Sequence, residues 1–199
     1  TTSCHLLLTA DAVGGVWSYV VDLAEGLQRR GVAVTIATLG PRPSPRQCEA
    51  VTTALIHTDR PLDWTAETAA ALRDAARDLA TIARAIGADS VHLHAPAYAR
   101  FADWPVPVVA VAHSCVATWW NAVRGGALPA DLAWRAKAVA RGLASAHAVI
   151  APSHAFAAML RNAYGDGWPL RVVYNGRSPP PLRPRVPRGR HVFTAGRLW

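Results

Sequence analysis

The chain has 199 residues, 51% of them apolar and 17% charged, so it can bury a core and is not a disordered polymer. No apolar run approaches the ~20 residues that cross a bilayer, and Thr1-Thr2-Ser3 leads into a predicted strand, not a secretory leader. The formal charge of +8 is almost all arginine, but those arginines are scattered up to Arg177 and carry no helix-turn-helix, zinc-finger or stacking-aromatic spacing, so no nucleic-acid partner is expected.

Cys4, Cys48 and Cys115 are odd in number, widely separated and form no C-x-x-C pair. That fits a reduced, cytoplasmic protein better than a disulfide framework. Cys4–Thr9 reads as a buried strand. Val16–Arg30 reads as an amphipathic helix with Val16, Val20, Leu23 and Leu27 on one stripe, Glu25 and Arg29 as an i,i+4 pair, and Gly31 as its stop. Val32–Thr38 is the second strand. Pro41, Pro43 and Pro45 predict a loop without regular structure. Val51–His57 is a short third strand, and Thr65–Ile86 an alanine-rich helix ended by Gly87. Ser90–His94 is a strand cut off by Pro96, and Val106–Ala112 a central, wholly apolar one. Pro129–Ser145 is a helix with proline in its first turn. His147–Ala151, Pro152–Tyr164 and Leu170–Tyr174 follow as strand, helix and strand, closed by the turn Asn175-Gly176.

This alternation predicts an α/β fold with a doubly wound, mostly parallel sheet over residues 1–176. "RSPPPLRPRVPRGR", residues 177–190, reads as an interdomain linker. "HVFTAGRLW", residues 191–199, reads as the first strand of a second domain, because nine residues cannot bury a core alone.

In an open parallel sheet, ligands bind outside the carboxyl ends of the strands. That rule selects Asp11, Gly14, Gly15, His94, His113, Ser114, Ser153, Asn175 and Gly176 as residues lining one edge. Unpaired amides at a helix start favour an anion, and glycine lets the backbone close on it. Gly14-Gly15 therefore fits a phosphate approach; a tight turn that needs positive φ fits the same pair. His92 and His94 share a strand face, and with His113 they line a polar cleft or, less simply, bind a metal. His113 ends the central strand, where a neutral imidazole can donate to a substrate hydroxyl or be satisfied by backbone carbonyls. Cys115 lacks the partner and elbow of a nucleophile. Trp119-Trp120 suit a sugar face, a lipid or a core plug.

Taken in order, "GGVWSYVVDLAEGLQRRGVAVTIATLG", "VHLHAP", "VAHSCVATWW", "VIAPSHAFAAML", "VVYNG" and "FTAGRL" resemble retaining glycosyltransferases of the GT-B fold, family 4 type. The resemblance implies two Rossmann-like domains across a cleft, of which these residues supply the acceptor-side one. It implies hexosyl transfer from a nucleotide sugar to an acceptor hydroxyl with retention, without metal or other cofactor. Carried over by position, Gly14 and Gly15 meet the donor diphosphate, His113 contacts the donor sugar, and Arg197 pairs with the diphosphate. The nucleotide-binding half is missing from the pattern, so residues 1–199 alone are expected to be inactive. A non-catalytic carbohydrate- or lipid-binding module is the alternative. Peripheral contact with a membrane, through the arginine-rich stretch and the tryptophans, is left open.

Overall fold

A computed structural model describes residues 4–177. The linker from residue 178 onward, the predicted strand at 191–199 and Arg197 lie outside the described residues. The first strand, β1 (His5–Asp11), is a near-continuous apolar run, as a strand covered on both faces requires. Its successive side chains point to opposite faces, so Leu7 joins one core cluster and Leu8 the other.

The sheet has seven parallel strands: β1, β2 (Ala33–Leu39), β3 (Ala54–His57), β4 (Ser90–Leu93), β5 (Val108–Val111), β6 (Ala148–Ala151) and β7 (Leu170–Val172), in the order β3-β2-β1-β4-β5-β6-β7. Helix α1 (Gly15–Gln28) lays Trp17, Val20 and Ala24 on the Leu8–Ile36 face. Helices α3 (Ala69–Ala85), α5 (Ala130–Ser145) and α6 (His154–Tyr164) cover the other face through Leu72, Leu79, Leu143 and Leu160, all fully buried. Each such side chain contributes about 1.5–3 kcal/mol through burial. The fold class expected from the sequence is the one observed.

The expected proline loop is only partly a loop. Helix α2 (Pro45–Glu49) starts inside it, because Ser44 Oγ accepts from the Gln47 amide at 3.3 Å and Gln47 Oε1 accepts from the Ser44 amide at 2.9 Å. Pro45 sits at the first helical position, where its missing N–H costs nothing. After β5, where the sequence reading placed no element before Pro129, the chain forms helix α4 (Val116–Val123), with Cys115 at its N-cap against Thr118. A short 3-10 turn, Pro96–Arg100, follows β4. The helix expected from Thr65 starts at Ala69, where Thr68 Oγ1 accepts from the Ala71 amide at 3.2 Å. The third strand starts at Ala54, not Val51. The central strand is cut to four residues between Pro107 and Ala112.

Candidate functional site

All strands being parallel, their carboxyl ends form one rim. The chain winds from β1 outward to β3, then returns to the far side of β1 as β4, so the order reverses between β1 and β4. A crevice opens at such a switch point. Asp11 ends β1 on one side of it, and His94 follows β4 on the other. The His94 amide donates to Thr9 Oγ1 at 2.9 Å, tying the two strand ends together. Asp11 Oδ1 accepts from the Val13 amide at 2.9 Å and so shapes the turn into α1.

The two glycines of that turn differ. Gly14 is the N-cap of α1 with φ 94°, a backbone conformation that favours glycine, so the tight turn explains it. Gly15 is the first helical residue, is exposed, and has no positive φ; a Cβ built there meets nothing within 4 Å. The fold does not require glycine at Gly15. What the position offers is bare backbone at a helix N-terminus beside the crevice.

Facing that helix start is a ladder of aromatic rings. One turn into α1, Tyr19 packs edge-on against His94 and His113, with centroids 5.3 and 4.8 Å apart. His94 stacks on His113 at 5.2 Å and lies 4.9 Å from His92. The start of α1 and the imidazole of His113 thus meet at one crevice through Tyr19. Burial holds His92 and His113 down at about 4, and burial with the neighbouring histidines holds His94 well below the ordinary histidine range. All three rings are neutral near pH 7. Among the described residues no group of three His, Cys, Asp or Glu side chains is placed to hold a metal ion.

The ladder also fixes where the protons sit. His94 Nδ1 and His113 Nε2 are 2.9 Å apart, so one of the two carries the proton between them. His94 Nε2 is buried without a hydrogen-bond partner. A buried, unmet N–H is costlier than an unmet lone pair, so the His94 proton sits on Nδ1 and is donated to His113 Nε2. His113 then carries its own proton on Nδ1 and presents a donor to whatever enters the crevice. Nitrogen-15 spectra of histidine-labelled protein are expected to show His113 as the Nδ1–H tautomer, the minority form of free histidine. An Nε2–H signal for His113 would reverse this assignment.

Other expected residues take different places. Ser114 is exposed at the rim. Ser153 caps α6, its Oγ accepting from the Phe156 amide at 3.1 Å, a structural task. Asn175 is exposed after β7, and Gly176 lines a groove of about 480 Å³ with Tyr19, Asp22 and Leu27 of α1. Trp119 and Trp120 are half-buried, with Trp120 Nε1 buried and unpartnered; among the described residues Trp64 is the exposed tryptophan.

Sequence reasoning missed a second cluster at this rim. Burial pushes the Asp63 carboxyl up to about 6, the Asp11 charge adds to this, and backbone N–H groups and Arg135 pull it back. Arg135 donates to the Ala66 carbonyl at 2.7 Å and lies over the Trp134 ring at 4.5 Å, while its Nε is buried and unpartnered. Tyr98 donates to the Pro61 carbonyl at 3.0 Å. Asp63 follows β3 and so obeyed the strand-end rule; Arg135 lies mid-helix and carried no signal of its own.

Residues 13–179 match the Glycosyltransferase Family 4 profile. No curated protein sequence matches the chain significantly. Among solved structures, the chain is similar to the sucrose-phosphate synthase of Thermosynechococcus elongatus at TM-score 0.63 and 16% identity, over 86% of this chain and 48% of that one. It is similar to a glycosyltransferase from Rickettsia africae ESF-5 at TM-score 0.57 and 14% identity, over 87% and 43%. It also resembles Anabaena HepE, solved in complex with UDP and glucose, at TM-score 0.57 and 17% identity, over 88% and 45%. The chain spans about half the length of these structures. With a seven-stranded parallel sheet of the GT-B type and a profile match over most of its length, the chain belongs to Glycosyltransferase Family 4.

Proposed function

We propose that the chain is the acceptor-side half of a retaining glycosyltransferase that moves a hexosyl group from a nucleotide sugar to an acceptor hydroxyl. Gly14 and Gly15 amides would meet the donor diphosphate at the positive end of α1. His113 Nδ1–H would donate to a hydroxyl of the donor sugar. Arg197 would pair with the diphosphate from the second half, so that backbone amides and a guanidinium neutralise the leaving group without a metal or other cofactor. The structure holding UDP and glucose supports a nucleotide-sugar donor for this fold. The acceptor would enter past Asp63, Arg135 and Trp64. A cytoplasmic site of action belongs to the same proposal and is supported by three cysteines that are all free. Among the described residues no helix is long and apolar enough to cross a membrane.

One observation carries this reading: Gly15 is bare backbone that the fold does not need. In a form of the protein that carries both GT-B halves, Gly15→Ala is expected to leave the melting temperature unchanged or slightly raised. Donor affinity is expected to fall about 10-fold or more through loss of charge-assisted contacts to phosphate. Unchanged transfer by Gly15→Ala would overturn the proposal. Sugar or lipid binding without any transfer by that two-domain form would return the chain to a non-catalytic binding module.

A further inference from the structure

Away from the crevice, a second cavity of about 620 Å³ is lined by Arg73, Arg77 and Arg84 of α3, Arg100 of the 3-10 turn and Arg141 of α5. All five guanidinium side chains belong to exposed residues, and among the described residues none lies within ion-pair distance of a carboxylate. The residues outside the described range contain no Asp or Glu side chain. The carboxylates on α3 are turned elsewhere: Asp78 holds Arg60 at 2.6 Å, and Asp74 adds to the charge felt by Arg60. Asp103 is the acidic residue of the lining, and Arg84 donates to its backbone carbonyl at 2.6 Å, which neutralises nothing.

Such a surface is unfavourable by itself. Arg73 and Arg77 stand four residues apart on one helix face, a like-charge pair that weakens the helix. Arg84 extends the row, so that it runs about 16 Å along the axis. One phosphate cannot reach all of it. Guanidinium forks bind phosphate through paired N–H bonds, and a row of this length suits a ligand with more than one such group.

Position separates this groove from the crevice. Its lining contains none of Asp11, Gly14, Gly15, Tyr19, His94 and His113. Helices run back against their strands, so Arg84 and Arg141, in the last turns of α3 and α5, lie toward the amino ends of the sheet, and Arg73 lies at the other end of the row. A bilayer partner would call for exposed apolar anchors beside the cations. Among the described residues the exposed large apolar ones, Val13, Trp64, Val123, Val173 and Tyr174, all lie outside the lining.

We propose that this arginine groove binds a small soluble molecule carrying two or more phosphate groups, at a site separate from the crevice. The probe is inorganic tripolyphosphate, titrated calorimetrically onto the protein in about 50 mM salt, where surface charges are little screened. Binding is expected, with orthophosphate about 10-fold weaker or more, and with affinity falling as salt rises. Arg77→Gln with Arg141→Gln is expected to cost about 10-fold or more in affinity at an unchanged or slightly raised melting temperature. Gly15→Ala is expected to leave tripolyphosphate binding intact. Absence of binding at low salt would overturn the proposal, as would an equal loss from the distant pair Arg124→Gln and Arg171→Gln. Phosphatidylglycerol vesicles or single-stranded DNA that bind through these arginines and are not displaced by tripolyphosphate would also overturn it, in favour of a membrane or a nucleic acid.

Discussion

Gly142→Ala is expected to destabilise the chain by about 3 kcal/mol or more, at the upper end for overpacking. Propensity argues the reverse, since alanine in a helix interior is favoured over glycine by about 0.5–1 kcal/mol. The structure decides the sign. A Cβ on Gly142 would lie 1.9 Å from the Pro96 carbonyl oxygen, 2.5 Å from its carbon and 3.1 Å from Ala97 Cα. These are backbone atoms, so no rotamer change relieves them; α5 and the 3-10 turn must separate. That turn carries Tyr98, fully buried and bonded to Pro61, and begins two residues after His94. Separation would therefore loosen both the core and the imidazole ladder. Gly26→Ala in α1 is the control: its Cβ meets only the flexible end of Arg29 at 3.8 Å, and it should raise stability by about 0.5–1 kcal/mol. Urea midpoints of the two variants should move in opposite directions. A raised midpoint for Gly142→Ala would mean that the helix and the turn part at no cost.

Gly142 also shows where the sequence stops being legible. Helical periodicity predicts α5 almost to the residue, but close approach of another backbone has no periodicity. The strands were legible because burial on both faces demands unbroken apolar runs, and their parallel direction followed from the helices between them. Their order, which returns β4 to the far side of β1, was not written locally. The helices α2 and α4 are short and were masked by stronger local cues: prolines over the first, and the end of a strand before the second. For α2 the signal existed in Ser44-Pro45-Arg46-Gln47, a capping box with proline at the first helical position. For the site, strand-end counting found Asp11, His94 and His113, and the two-residue spacing put His92 beside His94. Which ring nitrogen of His94 reaches His113 depends on strand register and rotamer, and neither is written locally. The distinction between Gly14, which the turn requires, and Gly15, which it does not, appears only once φ and the space around each are known.

The same ladder makes the fold sensitive to acid. Burial holds His92 and His113 near 4 in the folded chain against about 6.5 when unfolded, and burial with the neighbouring histidines depresses His94 as well. A depressed pKa means that the unfolded chain binds protons first as pH falls. Stability is therefore intact above about pH 6.5 and is lost progressively toward pH 4, where the folded rings begin to charge. Asp63 works the other way: its carboxyl, raised to about 6, takes up a proton in the folded state before the unfolded one, which stabilises the fold on acidification. The half-buried carboxyl offsets roughly one of the two imidazoles held near 4, and leaves the other together with His94. The net loss between pH 7 and 4.5 is expected to be about 2–3 kcal/mol or more, a large fraction of a domain's ordinary stability. Urea midpoints measured across that range test it, and His92→Leu should flatten the slope by removing one of the depressed rings. Equal midpoints at pH 7 and 4.5 would mean that the three imidazoles reach water as readily folded as unfolded. The closed hydrogen bond between His94 and His113, and the outward proton on His113 that depends on it, would then be lost as an argument.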